Sequence, residues 1–359
     1  MLIGEVAEQT AKPVQYVKIC SLYGAGFYYV PGTDMCLKIG GYVRQQVGYG
    51  VNGNLTNGAN VSNVDTRATN NYVLRSRGYI TADARNQTEY GTVRSYIAVG
   101  LSTNVSAAAP ASPNNDVGAN AFNSNRAFIQ FAGFTFGLTQ SFYDYYSGPA
   151  TSFFGGNINA SSDTGDAGKA VTAYTAQFGG GLSATISAEA QRNAGVINAT
   201  AGVAAVPVSL VTGLGAVAAV PAAFNSSTAL PTSSARGTQF PDIVANIRID
   251  QAWGGAQIMG AIHDATGQYY GATTATGQPG TALGYALGAG IKLNAPMIGA
   301  GDYLQAQFNY TVGAYGYANA AGTPMYSKYN GGAGGNYAFG IPTDAVYGVV
   351  GGVGTSSQL

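Results

Sequence analysis

Charge is scarce in this sequence. Asp, Glu, Lys and Arg make up 9% of its 359 residues, 16 acidic against 16 basic, for a formal net charge of zero. Soluble domains carry about 25%, so most of this surface is not dressed for water in the usual way. Balanced charge also excludes the basic footprint of a nucleic-acid binder and a basic membrane-surface patch. Histidine occurs once, as His263, which rules out a His-rich metal site. The two cysteines, Cys20 and Cys36, cannot make a structural zinc site alone. No run of about 20 apolar residues is present, as a membrane-spanning helix would require. The most apolar region, 201–223, is broken by Gly202, Pro207, Gly213, Gly215 and Pro221. The opening "MLIGEVAEQTAKPVQYV" has neither a basic n-region nor an apolar h-region, so it does not read as a secretion signal.

What is plentiful is glycine (53) and tyrosine (25), at a mean hydropathy of only +0.06. Segments alternating between apolar and polar residues recur at 37–49, 71–84, 88–101, 124–136, 138–146, 170–179, 181–192, 238–250, 253–265, 281–293 and 301–314, with a weaker one at 343–352. Most have the ~10-residue length of a tilted strand that crosses a bilayer. Short connections ("ARNQ", a Gly137 corner, "GGGL", "QAWGG", "NAPMIGAGD") take turns with long ones at 50–70, 102–123, 147–169, 193–237, 266–280 and 315–342. A soluble meander has no reason to sort its loops in this way, whereas a transmembrane β-barrel has short turns on one side and long loops on the other. The expected fold is therefore an all-β, antiparallel transmembrane barrel.

Parity assigns the faces, because successive strand residues point to opposite sides. In 71–84, Arg75 and Arg77 share a face with Tyr79 and Asp83, opposite Leu74, Ile80 and Ala82. In 88–101, Arg94 and Tyr96 oppose Val93, Ile97 and Val99; in 124–136, Arg126 and Gln130 oppose Ala127 and Ile129. Lys38 and Arg44 oppose Ile39 and Val43 in the first segment. An arginine on the lipid face at mid-depth would cost about 2–4 kcal/mol. The cations are therefore expected to point inward, into a wet interior.

The stretches "YVKICSLYGAGFYYVPGTDMCLKIGGYVRQQVGYG" (16–50), "RAFIQFAGFTFGLTQSFYDYYSGPA" (126–150) and "SSDTGDAGKAVTAYTAQFGGGLSATISAE" (161–189) resemble the alphaproteobacterial outer-membrane porins. The likeness runs through most of the chain and is densest before residue 190. It implies a passive diffusion channel, not an enzyme, without a cofactor, set in outer-membrane lipid. It also implies a sixteen-stranded barrel assembled as a homotrimer. About 11–12 of those strands are recognisable, so the chain reads as truncated at its C-terminus. Residues 1–36 would form a periplasmic segment and 37–359 an incomplete barrel.

In such porins the third long loop folds into the lumen. Here that loop is 147–169, which carries Asp163 and Asp166, with Asp144 just before it on the fifth strand. Arg44, Arg75, Arg94 and Arg126 would face these acids across a constriction and set up a transverse field. Cys20 and Cys36 as a disulfide would suit an oxidising periplasm and close the hairpin "SLYGAGFYYVPGTDM"; two free buried thiols are the alternative.

"GYGVNG" (48–53) matches the dinucleotide-binding glycine pattern but is followed by no helix, and it reads as a strand end running into a loop. Two other functions are compatible with an all-β chain of this composition. An outer-membrane barrel hydrolase would need His263 as its catalytic base, and no G-x-S-x-G accompanies it. A secreted Ala/Gly-rich β-solenoid adhesin would need a repeat of fixed period, and none is apparent.

Overall fold

The computed structural model describes residues 18–49, 72–104, 121–145, 168–192, 195–198, 235–271, 273–318, 327–328, 337–338, 343–350 and 353–359. Its strands in chain order are β1 (Tyr28–Tyr29), β2 (Cys36–Tyr49), β3 (Tyr72–Thr88), β4 (Gly91–Asn104), β5 (Ala121–Phe131), β6 (Phe134–Thr139), β7 (Lys169–Gly179), β8 (Leu182–Glu189), β9 (Val196–Asn198), β10 (Asp242–Gln251), β11 (Gly254–Asp264), β12 (Leu283–Asn294) and β13 (Tyr303–Val312). All of these except β9 build one 12-stranded sheet, in which each strand pairs antiparallel with the next along the chain. Among the described residues, β1 and β13 are its edges. A β-solenoid would stack parallel coils, so this meander excludes the adhesin reading.

The sorting of connections holds. β3–β4, β5–β6, β7–β8, β10–β11 and β12–β13 are joined by tight links, and the alternate links are long. Antiparallel pairing then gathers every tight turn at one end of the sheet.

Some details differ from expectation. "ARNQ" lies within β3, which runs on to Thr88, and the turn comes after it. The turn between β5 and β6 is at Ala132–Gly133, with φ of 50° and 86°, the left-handed pair that a two-residue hairpin needs. Gly137 sits inside β6 instead of at a corner. The segment expected at 138–146 is therefore not a strand; β6 ends at Thr139 and the chain leaves the sheet. The weak segment near the C-terminus supplies β16 (Ala345–Tyr347), which pairs in parallel with β9 outside the main sheet. Short ladders also join β14 (Ser327–Lys328) to β15 (Tyr337–Ala338) and β17 (Val349–Val350) to β18 (Val353–Gly354).

The two faces of the sheet are chemically distinct. Ile39, Val43, Ile80, Ile97, Ile129, Ile186, Ile247, Ile258, Leu287, Leu304 and Phe308 are exposed on the outer face, with Ile80 65% and Phe308 69% accessible. No soluble protein leaves so continuous an apolar band in water; a hydrocarbon surround makes it favourable. The inner face carries Arg77, Tyr79, Asp83, Asn246, Gln257 and His263, all buried.

The sheet is curled. In a flat sheet, six strand spacings would separate β6 from β13 by about 29 Å. Yet the chain leaving β6 after Thr139 reaches Gln307 on β13 by Tyr145. That stretch spans at most about 21 Å even if fully extended. The strands wrap around the segment, and the core of this molecule is the space they enclose.

Candidate functional site

Two groups of residues line that space. The first is the inner face of β2–β5. Arg44 and Arg77 occupy one rung, as direct Cα partners, and Arg75 pairs with Gln46 one rung further toward the long loops. The side chain of Arg75 lies outside the described residues. Arg94 is the Cα partner of Arg85, close to the tight β3–β4 turn. The stretch of β3 from Arg77 to Arg85 is roughly 27 Å at 3.4 Å per residue. Arg126, paired with Ala98, falls between these levels. All five β2–β5 arginines whose side chains are described (Arg44, Arg77, Arg85, Arg94 and Arg126) share the inner face, as parity requires. They form a ladder along the wall, spread over successive rungs.

The lower rungs are tightly organised. Asp83 accepts from Arg85 (Nη2–Oδ2 2.8 Å) and from Arg94 (Nη2–Oδ2 2.9 Å), and Arg94 Nη1 also donates to Gln130 Oε1 at 3.1 Å. The Arg94 guanidinium stacks over Tyr96 and Phe128, at 5.2 and 5.3 Å from their ring centres. Sequence reasoning put Asp83 on the right face but did not recognise it as the bridge between two arginines. Arg85 lies over Phe27 at 4.9 Å and Tyr23 at 5.4 Å. The N-terminal hairpin therefore docks on the inner wall near the tight-turn end. Cys20 and Cys36 are joined as a disulfide with a Cα–Cα distance of 6.0 Å, buried with Phe27. A loop of that size, closed covalently, is worth about 3 kcal/mol through the unfolded chain, enough to order a hairpin with little core of its own.

The second group surrounds Ser141–Tyr145, the segment that turns inward after β6. Asp144 is part of this segment and not of a strand. Its carboxylate pairs with Arg192 (Nη1–Oδ1 2.9 Å), with the two side chains 3% and 0% exposed. Arg192 also stacks on Tyr317 at 4.4 Å and Tyr143 at 5.5 Å. Burial works against the Arg192 charge, yet the neighbouring Asp144 carboxylate keeps the guanidinium protonated even more firmly than usual, and burial pushes the Tyr143 and Tyr317 hydroxyls far up. Asp163 and Asp166 lie outside the described residues, as does most of 147–169.

His263 is fully buried. Its Nδ1 is 2.8 Å from Asp242 Oδ1, and its Nε2 is 3.5 Å from Asp344 Oδ2. Tyr317 donates to the other oxygen of Asp242 at 2.8 Å. Both ring nitrogens face carboxylates and the ring is fully buried, so no nucleophile or substrate can reach His263. The hydrolase reading loses its one candidate base. Among the described residues, no cluster of metal-ligating side chains is present.

An outward apolar band, an inward cationic ladder and a chain segment held inside a curled sheet define an outer-membrane β-barrel with a polar interior. The sequence profile of the porin subfamily matches residues 5–349, and the chain belongs to that family. Outer membrane protein y4fJ of Sinorhizobium fredii is 35% identical over 136 residues, covering 37% of this chain and 35% of that protein. Outer membrane protein IIIA of Rhizobium leguminosarum bv. viciae is 32% identical over 133 residues, 37% of this chain and 30% of that one. Porin Omp2b of Brucella suis is 32% identical over 184 residues, 49% of this chain and 43% of its own length. The chain thus spans less than half the length of these curated relatives. Among solved structures, Salmonella typhi OmpF in complex with daunomycin aligns over 78% of this chain and 66% of that one, at 12% identity and a TM-score of 0.41. The protein is an outer-membrane protein of a porin family, not of an enzyme family.

Proposed function

We propose that the protein is a general diffusion channel, through which ions and small hydrophilic solutes cross the outer membrane passively along a water-filled barrel. The observation that carries this reading is the two-faced wall. Arg44, Arg77, Arg85, Arg94 and Arg126 all lie on the face opposite the exposed isoleucines. Guanidiniums in hydrocarbon would cost about 2–4 kcal/mol each, and the Arg94 side chain is still 29% open, so the enclosed side is wet.

In this reading Arg44, Arg75, Arg94 and Arg126 present a cationic path at successive depths. The 147–169 segment, with Asp163 and Asp166, supplies the opposing charge at the constriction. Asp144, buried against Arg192, contributes to the root of that segment and not to the field in the water. Membership of the porin subfamily supports assembly as a homotrimer in outer-membrane lipid, with no nucleic-acid partner and no cofactor.

The test is electrical. The full-length protein, added to a planar lipid bilayer, should produce discrete conductance steps that persist without any energy source. Folded, membrane-inserted protein that gives no steps would overturn the reading.

A further inference from the structure

The segment Ser141–Tyr145 is held to the wall at every residue from Phe142 to Tyr145, by groups that the diffusion reading does not use. The Phe142 amide donates to Glu189 Oε1 at 2.9 Å, and Ser187 Oγ donates to the same oxygen at 2.8 Å. Asn246 Nδ2 donates to the Phe142 carbonyl at 2.6 Å. Gln257 Nε2 bridges the carbonyls of Phe142 and Tyr143, at 3.1 and 3.3 Å. Gln307 Oε1 accepts from the Tyr145 amide at 2.9 Å. Four wall side chains, from β8, β10, β11 and β13, thus hold the backbone of this short stretch.

β12 contributes a glycine. Gly290 leaves the space that the Tyr145 ring fills, and a Cβ there would overlap the ring. Arg192 closes the arrangement. Its side chain binds Asp144, and its own amide donates to Asp242 Oδ2 at 3.1 Å, which ties it to His263 and Tyr317.

The buried pair is not the most stable choice for such a position. Among the described residues, Nε and Nη2 of Arg192 and Oε2 of Glu189 have no hydrogen-bond partner. An apolar pair of similar volume would avoid that desolvation cost. What the ions supply is one defined register.

We propose that Arg192, the Gly290 notch and the ring of Glu189, Asn246, Gln257 and Gln307 form a positioning clamp. The clamp holds the Ser141–Tyr145 stem flat on the β8–β13 wall and so keeps the passage at a single width. The electrical part of this proposal rests on the diffusion reading; the structural part does not. Arg192 is a positioning residue, and its loss should free the stem to move within the enclosed space.

Two measurements on the full-length protein test the proposal. Hydrogen exchange should speed up in the peptide covering 141–145 of Arg192→Met, by upwards of about a hundredfold, as expected when one partner of a buried ion pair is removed. Peptides from β2–β5 should be unchanged. In bilayers, Arg192→Met should replace one open level with several and raise open-channel noise. Arg192→Lys, which keeps the cation, should stay close to wild type in both. Gly290→Ala, which leaves the ion pair intact but crowds Tyr145, should also speed exchange at 141–145 and carries the test if Arg192→Met does not fold. Wild-type exchange at 141–145 in Arg192→Met or in Gly290→Ala would overturn the clamp, as would an Arg192→Lys protein that exchanges as fast as Arg192→Met. Wild-type protein that gives no steps at all would instead overturn the diffusion reading, and the exchange result would still decide the clamp.

Discussion

Arginine placed at Ile80, Ile247 or Phe308 should destabilise the inserted protein by about 2–4 kcal/mol, against almost nothing for the same residue at Thr81. Ile80, Ile247 and Phe308 sit near the middle of β3, β10 and β13, and all three are exposed on the apolar outer face. At that depth a guanidinium must either shed its water into hydrocarbon or drag water and headgroups inward, and neither comes cheaply. Thr81 lies on the inner face, two residues from Asp83 along β3, where a cation meets water and carboxylate. Denaturant unfolding in lipid vesicles reads the difference directly. Equal destabilisation at Ile80 and Thr81 would mean that the two faces do not meet different solvents.

Reversing charge at Arg94 should move ion selectivity toward cations. Arg94→Glu changes the wall by two charges and places a second carboxylate beside Asp83, which now binds Arg94 and Arg85 together. An ion passing at about 8 Å through water feels a change of about 1 kcal/mol, or roughly fivefold in relative permeability. The effect should shrink as salt is raised, because screening shortens the reach of the charge. Reversal potentials under a salt gradient measure it. An unchanged reversal potential at low salt would remove Arg94 from the conducting path.

Much of the barrel was legible because its period is two. One face of each strand meets hydrocarbon and the other meets water, so the pattern in residues 71–84 or 301–314 survives in the sequence without any knowledge of partners. The sorting of connections was legible for a related reason, since tight turns need left-handed residues and the long links are rich in small polar ones. The β5–β6 turn was missed because Ala132 takes φ of 50°, a conformation that alanine does not announce, while Gly137 nearby looked like the better corner.

The inward segment was missed for a deeper reason. "SFYDYY" alternates as a strand does, and nothing local says that it leaves the wall. Its partners stand far along the chain, with Glu189 47 residues away and Gln307 162 residues away. Arg192 was similarly invisible, because the last residue of the 181–192 segment shows no partner until Asp144 is brought against it. The depth of the arginines also depended on register, which sequence parity does not supply.

Nitroxide labels at Ile80 and Thr81, attached one at a time in vesicles, test the central claim most directly. The label at residue 80 should relax with dissolved oxygen, which concentrates in hydrocarbon, and ignore a water-soluble nickel chelate. At residue 81 the preference should reverse. If the chelate reaches both positions equally, the wall does not divide lipid from enclosed water, and the channel account fails with it.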